Sequence, residues 1–332
     1  MNNEGSTGIA GLRVRSLIHY RSFRNTDPPL LTELWRSCAE RRSLVQPLST
    51  ADFEQFVLNK PYFDREGLWL AIEGEQLQGF VHAGFGPSED ESTLSTELGV
   101  TSIVVVRPGP EQTQIAEALL QHSEEYLRGR GAQVLYGGSV RPLNPFYLGL
   151  YGGSEQPGVL DSDPAMQRLF LGHGYREIDR TVVFQRTLAD FRAPVDRNQM
   201  QVRRSTQVAV VDEPPAKTWW EACTLGEFEC VEYQLLDRGL GKQLASATLR
   251  GIEHTATNPG VRASGLVDVH VASQALHQGL ATFLITEALK ELQHQGVGVV
   301  EAQTMQRNAA AIGLYKKLGF TRIDSGAVYR KE

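Results

Sequence analysis

The hydrophobic and polar positions along the chain follow one pattern twice. In each half, a run of apolar residues is followed by a polar loop, an amphipathic stretch, a glycine and a second apolar run. One offset of 165 residues carries Val104 onto Val269 and Gly131 onto Gly296. Each half therefore predicts a strand, a loop, a helix and a strand in that order, which indicates two copies of one domain.

The two copies close with similar phrases, Gly174-Tyr175 and Gly319-Phe320, but at a shorter offset of 145 residues. The first copy therefore carries 20 extra residues before its closing strand. A polar, proline-containing run at residues 189–204 separates the copies. It predicts an N-terminal domain at residues 1–190 and a C-terminal domain at residues 200–332.

Periodicity also predicts the individual elements. The first half is expected to contain strands at residues 12–20, 102–107 and 133–136, helices at 30–42 and 111–127, and a hairpin of 68–72 with 79–85. The second half is expected to contain strands at residues 231–236, 244–252, 265–271, 298–303 and 321–329, and helices at 279–293 and 309–318. This alternation predicts an α/β fold with mixed sheets flanked by helices.

Composition narrows the function classes. The chain has 332 residues and a net charge of −6, which argues against a nucleic-acid partner because phosphate contacts need a basic face. Three cysteines without a C-x-x-C pair, Cys38, Cys223 and Cys230, exclude a disulfide scaffold and a thiolate zinc site, and no metal is expected. No apolar run approaches a membrane span and no leader pattern precedes the first strand, so we expect a cytoplasmic location without membrane contact.

The segment from Val269 to Thr282 is the most informative for chemistry. A strand ends, a polar loop turns, and a helix begins with Gly279 in its first turn and Ala281 two residues later. The first N–H groups of a helix have no partner within it, and the helix dipole adds positive potential. The segment therefore predicts a cradle for a pyrophosphate. A plain strand-to-helix turn is the alternative.

The run from Asn308 to Phe320 reads N-x-x-A-x-x-L-Y-x-x-L-G-F. It closely resembles the second cofactor motif of the GNAT N-acetyltransferase superfamily, and the preceding segment resembles the first, [Q/R]-x-x-G-x-[G/A]. The resemblance covers most of both halves. It implies two tandem GNAT (acyl-CoA N-acyltransferase) domains, each a mixed central sheet flanked by helices, in a two-domain plan of the mycothiol synthase type.

The resemblance also implies acetyl-CoA as cosubstrate and a role for each motif residue. The implied cofactor contacts are Val269, His270 and Val271 along the pantetheine arm, His277, Gln278, Gly279, Leu280, Ala281 and Thr282 around the pyrophosphate, and Asn308 and Tyr315 nearer the thioester. One position departs from the family pattern, because Leu276 stands where Gln or Arg is usual. We expect this departure to weaken binding without abolishing it, since backbone amides hold most of the phosphate.

Acyl transfer needs a proton donor for the departing thiolate and a base for the attacking amine. Tyr315 is the expected acid, with a tyrosine packed on the core as the alternative. Alternation along residues 265–271 places Asp268 on one face with Leu266 and His270. The candidate bases are, in order, Asp268, Glu301 and Glu232; each has an alternative as a strand-end polar residue, and a chain of waters could replace them all.

The first half departs further from the motif. Gln114 stands at the repeat position of Gly279, Glu111 adds a negative charge where phosphate would bind, and Phe170 replaces Tyr315. We expect this half to have lost efficient cofactor binding and to help frame the acceptor. Its aromatic and glycine-rich insertion at residues 145–158 is either a wall for a small ligand or a packed loop.

Together these features predict an acyltransferase that moves an acetyl group from acetyl-CoA to a primary amine of a small molecule or peptide. The negative net charge mildly favours a cationic acceptor. A non-catalytic acyl-CoA-binding or interaction module on the same fold is the alternative. An oligomer is possible but nothing in the sequence indicates one.

Overall fold

The structure is a computed structural model that describes residues 17–151, 153–194, 197–252 and 260–332. Its strands are β1 (His19–Ser22), β2 (Leu68–Glu73), β3 (Gln76–Pro87), β4 (Leu94–Val106), β5 (Val134–Gly137), β6 (Val159–Leu160), β7 (Arg176–Thr187), β8 (Thr206–Asp212), β9 (Cys230–Asp237), β10 (Gln243–Ile252), β11 (Ala263–Val271), β12 (Val299–Met305) and β13 (Thr321–Lys331). Its helices are α1 (Pro28–Ser37), α2 (Thr50–Phe53), α3 (Gln112–Gly129), α4 (Pro164–Gly172), α5 (Arg197–Ser205), α6 (Trp219–Leu225), α7 (Leu280–His294) and α8 (Ala309–Lys317).

Twelve of the strands form one continuous path in the order β1-β2-β3-β4-β5-β13-β7-β12-β11-β10-β9-β8, and β6 pairs with β13 beside it. Most neighbours are antiparallel, but β4 pairs with β5 and β11 with β12 in parallel, each across a helical connection. The sheet is therefore mixed and flanked by helices, which confirms the predicted fold class.

The two halves exchange their closing strands. Strand β13, the last in the chain, lies between β5 and β7, while β7 of the first half lies between β13 and β12. Thr321 pairs with Gln185 and Arg330 with Arg176. Because the 145-residue offset maps Arg176 onto Thr321 and Gln185 onto Arg330, these two pairs are equivalent, and the halves meet across a local pseudo-twofold axis.

Because of the exchange, each closing strand contributes side chains to the apolar core of the opposite half. Val182 and Phe184 of β7 pack into the core beneath α7, with residues of β9 to β12. Ala327 and Tyr329 of β13 pack into the core beneath α3. Each core is thus completed by residues from the other half, a feature that the predicted boundaries at residues 190 and 200 do not express.

Most predicted elements are present with ends shifted by a few residues, including the 68–85 hairpin, both strand-helix-strand units and the closing strands. Part of the strand predicted at residues 12–20 lies outside the described residues. The polar run at 189–204 also contains α5, and β8 follows it. The helix was not predicted, because a short polar helix carries little hydrophobic periodicity.

Candidate active site

A cleft opens in the sheet of the second half. Strands β11 and β12 pair in parallel from Ala263 to Leu266 on one side and from Val299 to Ala302 on the other, and the paired register ends there. Beyond that point β11 continues to Val271 along β10, whereas β12 continues along β7. The strands therefore diverge, and each turns an edge of backbone polar groups toward the cleft.

The loop after β11 leads into α7 at the mouth of this cleft. His277 and Gly279 both adopt left-handed backbone conformations, with φ of 61° and 76°, and Gly279 is the N-cap of α7. The first helical hydrogen bond runs from the N–H of Phe283 to the carbonyl of Gly279, at 3.0 Å. The N–H groups of Leu280, Ala281 and Thr282 precede it and remain free of helical partners, as an anion cradle requires.

The cradle is held from behind by α5. The side-chain amide of Asn198 donates to the carbonyl of Gln278 at 2.9 Å. A Cβ on Gly279 would lie 2.3 Å from the Nδ2 atom of Asn198. Glycine at this position therefore satisfies both the left-handed backbone and the close approach of Asn198. Leu276, the departure from the motif, is about half exposed, at 49%.

Tyr315 lies on α8 and belongs to the core beneath α7. Only 4% of it is exposed, and its ring packs against Phe184 and Phe320 at centroid distances of 5.6 and 5.5 Å. Burial raises the pKa of its hydroxyl well above the usual range, and the charges of Glu155 and Asp268 add to the effect. The phenol therefore keeps its proton at neutral pH. Asn308 caps α8 by accepting a hydrogen bond from the N–H of Ala311, at 3.1 Å.

The insertion of the first half docks onto the sheet beside this cleft. The buried guanidinium of Arg250, on β10, donates to the carbonyls of Gly153 and Ser154. The side-chain amide of Gln303, on β12, donates to the carbonyl of Glu155 at 2.5 Å. A Cβ on Gly265 of β11 would lie 2.8 Å from Ser154, so the insertion rests directly on the strand.

This docking brings Glu155 to the active-site cleft. Its side chain is 22% exposed and lies 3.9 Å from the guanidinium of Arg141. Burial raises the pKa of its carboxyl to about 7; Asp268 adds to the rise, whereas Arg141 and Arg250 oppose it. A carboxyl with this pKa exchanges a proton near neutral pH, as a general base must.

Comparison with known proteins identifies the fold. Residues 232–320 match the Acetyltransferase (GNAT) family. No curated protein matches the chain in sequence. Among solved structures, a tandem GNAT protein from the clavulanic acid biosynthesis pathway is similar, with a TM-score of 0.64, 17% identity and coverage of 95% of this chain and 98% of that one. The chain has a tandem GNAT fold.

Two other structures agree with this identification. A GCN5-related N-acetyltransferase from Sphaerobacter thermophilus has a TM-score of 0.62 at 15% identity, with 95% of each chain covered. A glucosamine N-acetyltransferase region in a fungal multi-domain β-N-acetylglucosaminidase has a TM-score of 0.71 at 18% identity. The match covers 96% of this chain but spans only 38% of that protein.

The GNAT fold places the predicted bases in three different surroundings. Asp268 is partly exposed and its carboxylate lies 3.4 Å from the Lys217 ammonium. Glu301 is buried and accepts hydrogen bonds from the backbone of Ser154 at 2.8 Å and from Gln185 at 3.0 Å. Glu232 lies two strands away from β11, on β9. Of these three, Asp268 is beside the cleft with Glu155, and Glu301 holds the insertion.

The predicted alternation along β11 is wrong at one point. Thr248 pairs with Asp268 and Leu249 with Leu266, so Val267 is an extra residue in a β-bulge. Leu266 therefore faces the core beneath α7, in the same cluster as Val269 and Val271. Asp268 lies on the opposite, polar face beside Thr248.

The corresponding cleft of the first half is filled by its own groups. Helix α3 begins at Gln112, one turn earlier than α7 in the repeat register, and this extra turn takes the place of the cradle. The guanidinium of Arg41 donates to the carbonyl of Val104, the counterpart of Val269, at 3.0 Å and pairs with Asp163 at 2.6 Å. About 60 Å³ of cavity remains there, room for a few waters rather than a cofactor arm.

Glu155 is the site residue that sequence reasoning did not find. The extra residues of the first half marked the insertion as unusual, and the structure shows that it docks as a packed loop whose tip reaches the other half. Nothing in the local sequence distinguishes Glu155 from other glutamates, because its environment depends on Arg250 and Gln303, which lie far along the chain.

Among the described residues, no group of three or more histidine, cysteine, aspartate or glutamate side chains could hold a metal ion. None of the helices they form is long and apolar enough to cross a membrane.

Proposed function

We propose that the chain transfers an acetyl group from acetyl-CoA to a primary amine of a small molecule, by direct attack, in the cleft of its second half. The observation that carries this proposal is the cleft itself, where β11 and β12 diverge beside the start of α7, whose first N–H groups have no helical partner. Tyr315 and Glu155 lie near enough to this region for the charges of Glu155 and Asp268 to raise the pKa of Tyr315. The match of residues 232–320 to GNAT acetyltransferases supports the reaction class.

The residues of the cleft fit the cosubstrate. The free N–H groups at the start of α7 and the left-handed Gly279 suit a pyrophosphate, and the divergent edge of β11 at Val269 and Val271 suits an extended amide-containing arm. Asn308 is the N-cap of α8 and lies between the cradle and Tyr315 in the sequence. Bound acetyl-CoA would supply the activated acyl group.

The chain's own residues would move the protons. An alkylammonium has a pKa of about 10, so it must lose a proton before it attacks. The carboxylate of Glu155, with a pKa of about 7, accepts that proton at neutral pH. The Tyr315 phenol, whose ordinary pKa is about 10, is protonated at neutral pH and donates its proton to the departing thiolate.

The acceptor is proposed as a small amine, and glucosamine is the first to test, because one structurally similar fungal protein contains a glucosamine N-acetyltransferase region. The negative net charge also favours a cationic acceptor over an anionic one.

The test replaces Tyr315 by Phe, which keeps the ring in its aromatic cluster and removes the hydroxyl. We expect turnover to fall by about 100-fold or more while the dissociation constant for acetyl-CoA changes little, because the acid acts in the chemical step. Calorimetric titration measures that constant and should count one site per chain, which is lost in Gly279→Glu.

Tyr233→Phe is the matched control. Tyr233 is also buried in the core beneath α7, and its loss of a hydroxyl should leave turnover unchanged. Unchanged turnover in Tyr315→Phe would remove its role as acid. Tight acetyl-CoA binding without transfer to any amine would replace the enzyme proposal by an acyl-CoA-binding module.

A further inference from the structure

The cleft of the first half, which corresponds to the cofactor cleft, retains a cavity between β4 and the insertion. This first-half cavity measures about 60 Å³, and a single buried water needs about 10–15 Å³ on the same measure. The cavity therefore has room for about four to six non-hydrogen atoms. Its walls are polar at Ser102, Ser139 and Gln156 and apolar at Trp35 and Phe170.

Four buried polar atoms of the residues that line this cavity have no hydrogen-bond partner within the described part of the chain. They are Nε of Arg41, the hydroxyl oxygens of Ser102 and Ser139, and Oε1 of Gln156. Ser139 is only 2% exposed and Gln156 only 7%. Buried polar atoms nearly always have a partner, so four that lack one around a single cavity indicate a bound group.

The neighbouring polar groups are already engaged with one another. The two terminal nitrogens of Arg41 donate to the carbonyl of Val104 at 3.0 Å and to the carboxylate of Asp163 at 2.6 Å. The hydroxyl of Thr101 is hydrogen-bonded to that of Ser123 at 2.6 Å. The four unpartnered atoms therefore need a partner that enters the cavity.

Ser102 is presented by a β-bulge. In the pairing of β3 with β4, it is an extra residue between Thr101 and Ile103. The 165-residue offset carries Ser102 onto Val267, the extra residue of the bulge in β11. The same backbone feature thus presents a hydroxyl in the first half where the second half has an apolar side chain. The polar lining is a feature of the first half and not of the repeat.

The charges at the first-half cavity cancel. Of the described residues that line it, the charged ones are Arg41 and Asp163, and these pair with each other. A charged ligand would have no counter-ion left there, and burying an unpaired charge is costly. The cavity therefore suits an uncharged ligand.

The four unpartnered atoms specify the polar groups of that ligand. The Nε–H of Arg41 needs an acceptor, Oε1 of Gln156 needs a donor, and a serine hydroxyl can either donate or accept. A hydroxyl or a primary amide supplies both kinds of group. The apolar walls suit a short carbon skeleton better than waters alone, because each buried water needs about two to four polar partners.

The cavity also adjoins the proposed base along the chain. Gln156 directly follows Glu155, and the N–H of Gly158 donates to the carbonyl of Ser139 at 2.8 Å. A ligand held by both Gln156 and Ser139 would join the insertion to the loop after β5 beside that hydrogen bond. Its binding would therefore stabilise the insertion.

We propose that the first-half cavity binds a small uncharged molecule, a short polyol or primary amide of about four to six non-hydrogen atoms, and that this binding stabilises the insertion. Arg41, Ser102, Ser139 and Gln156 supply the hydrogen bonds. The proposal does not rest on the transferase function, because binding needs neither acetyl-CoA nor an amine.

The test titrates the full chain with glycerol, glycolamide and glycolate, without acetyl-CoA or amine, and follows the backbone amide chemical shifts. Glycolate has a carboxylate where glycolamide has its uncharged amide. We expect saturable shifts at Ser139 and Gln156 with glycerol or glycolamide, and a dissociation constant at least about tenfold below that of glycolate. Saturation with glycerol alone would support a polyol, and saturation with glycolamide alone would support an amide.

Two outcomes of this titration would overturn the proposal. The absence of saturable binding of either uncharged probe would leave the cavity to ordered waters. Tighter binding of glycolate than of glycolamide would show that the site selects an anion.

Ser139→Ala removes one of the unpartnered hydroxyls. Because that hydroxyl has no partner among the described residues, we expect the melting temperature without ligand to stay the same or rise. The dissociation constant of the preferred probe should rise by about three- to tenfold, the effect of one lost hydrogen bond. A lower melting temperature with an unchanged dissociation constant would overturn the proposal, since the hydroxyl would then have its partner inside the protein.

Ser264→Ala is the matched control. Ser264 is also buried, but its hydroxyl already donates to the carbonyl of Arg250 at 3.1 Å. This variant should lower the melting temperature and leave the dissociation constant of the probe unchanged.

Hydrogen exchange tests the effect on the insertion. Saturation with the preferred probe should slow exchange at the N–H of Gly158. Unchanged exchange across residues 153–158 at saturation would contradict the stabilisation of the insertion. Because these measurements omit acetyl-CoA, their failure would leave the transferase proposal standing, and failure of the Tyr315→Phe test would leave the first-half cavity standing.

Discussion

At the scale of single residues, the proposed mechanism depends on a carboxyl whose pKa is set by its surroundings. Glu155 is the base in the proposed mechanism, and its carboxylate forms as the pH rises through about 7. We therefore expect kcat to rise with pH along one ionisation near 7 and to level off above it. The measurement is kcat for acetyl transfer to glucosamine between pH 5 and 9, at saturating concentrations of both substrates.

Two variants test the assignment of that ionisation. Glu155→Gln should lower kcat by about 100-fold and remove the inflection near pH 7. Asp268→Asn should move the inflection to lower pH, because the negative charge of Asp268 helps to raise the pKa of Glu155. An unchanged inflection in Glu155→Gln would return the role of base to Asp268 or to water.

Sequence reasoning reached the residues whose roles depend on local motifs and missed those that depend on distant contacts. The start of α7 at Gly279 was predicted, because a helix N-terminus is a local feature. The face of the sheet on which Leu266 lies was predicted wrongly, because a β-bulge cannot be recognised from the hydrophobic alternation. Glu155 could not be predicted, because its pKa is raised by burial, and that burial depends on docking of the insertion onto Arg250 and Gln303, far along the chain.

At the scale of elements, the insertion of the first half is held against the second half by hydrogen bonds at its tip. Its tip is held by backbone contacts to Arg250 and Gln303 and by the buried carboxylate of Glu301, which accepts from the N–H of Ser154. Burial raises the pKa of Glu301, and the hydrogen bonds from Gln185 and Ser154 oppose that rise. Because both oxygens of Glu301 accept hydrogen bonds from the protein, we propose that it positions Glu155 rather than exchanging protons with the acceptor.

This distinction gives opposite expectations for two neighbouring carboxylates. Glu301→Gln should lower kcat by about tenfold or less, since an amide retains an acceptor for the Ser154 N–H, and the inflection near pH 7 should persist. The measurement is the same pH series, with Glu155→Gln as the comparison. Loss of the inflection in Glu301→Gln, with Glu155→Gln still showing it, would identify Glu301 as the base.

The order of elements was largely predictable, because each strand-helix-strand unit carries its own periodicity. The order of the strands in the sheet was not predictable. The apolar alternation of β7, around Phe184, and of β13, around Tyr329, would be the same whether or not the two strands were exchanged. This alternation does not indicate which of two similar sheets a strand joins. Because the two halves have similar sequences, either closing strand fits the sheet of either half.

At the scale of the whole molecule, the exchanged strands join the two halves into one folding unit. β7 and β13 pair with each other and with a strand of the opposite half, so neither core is complete without the other half of the chain. The insertion that carries Glu155 and the exchanged strand that carries Phe184 both reach the second half's cleft. The first half thus contributes to the candidate site from two sides, although its own cleft is filled.

The exchange predicts that a core mutation disturbs the half opposite to its place in the sequence. Tyr329→Ala removes a ring that stacks on Phe170 in the core beneath α3, whereas Phe184→Ala removes a ring beside Tyr315 in the core beneath α7. Each truncation should cost about 3–5 kcal/mol. Hydrogen exchange should therefore accelerate first in α3 and β5 for Tyr329→Ala, and first in α7 and β11 for Phe184→Ala.

Phe184→Ala should also lower acetyl transfer more than Tyr329→Ala does, because it removes the packing that holds Tyr315, the proposed acid. If each variant instead loosened the half in which its residue lies in the sequence, the strands would not be exchanged in solution and each half would close its own sheet.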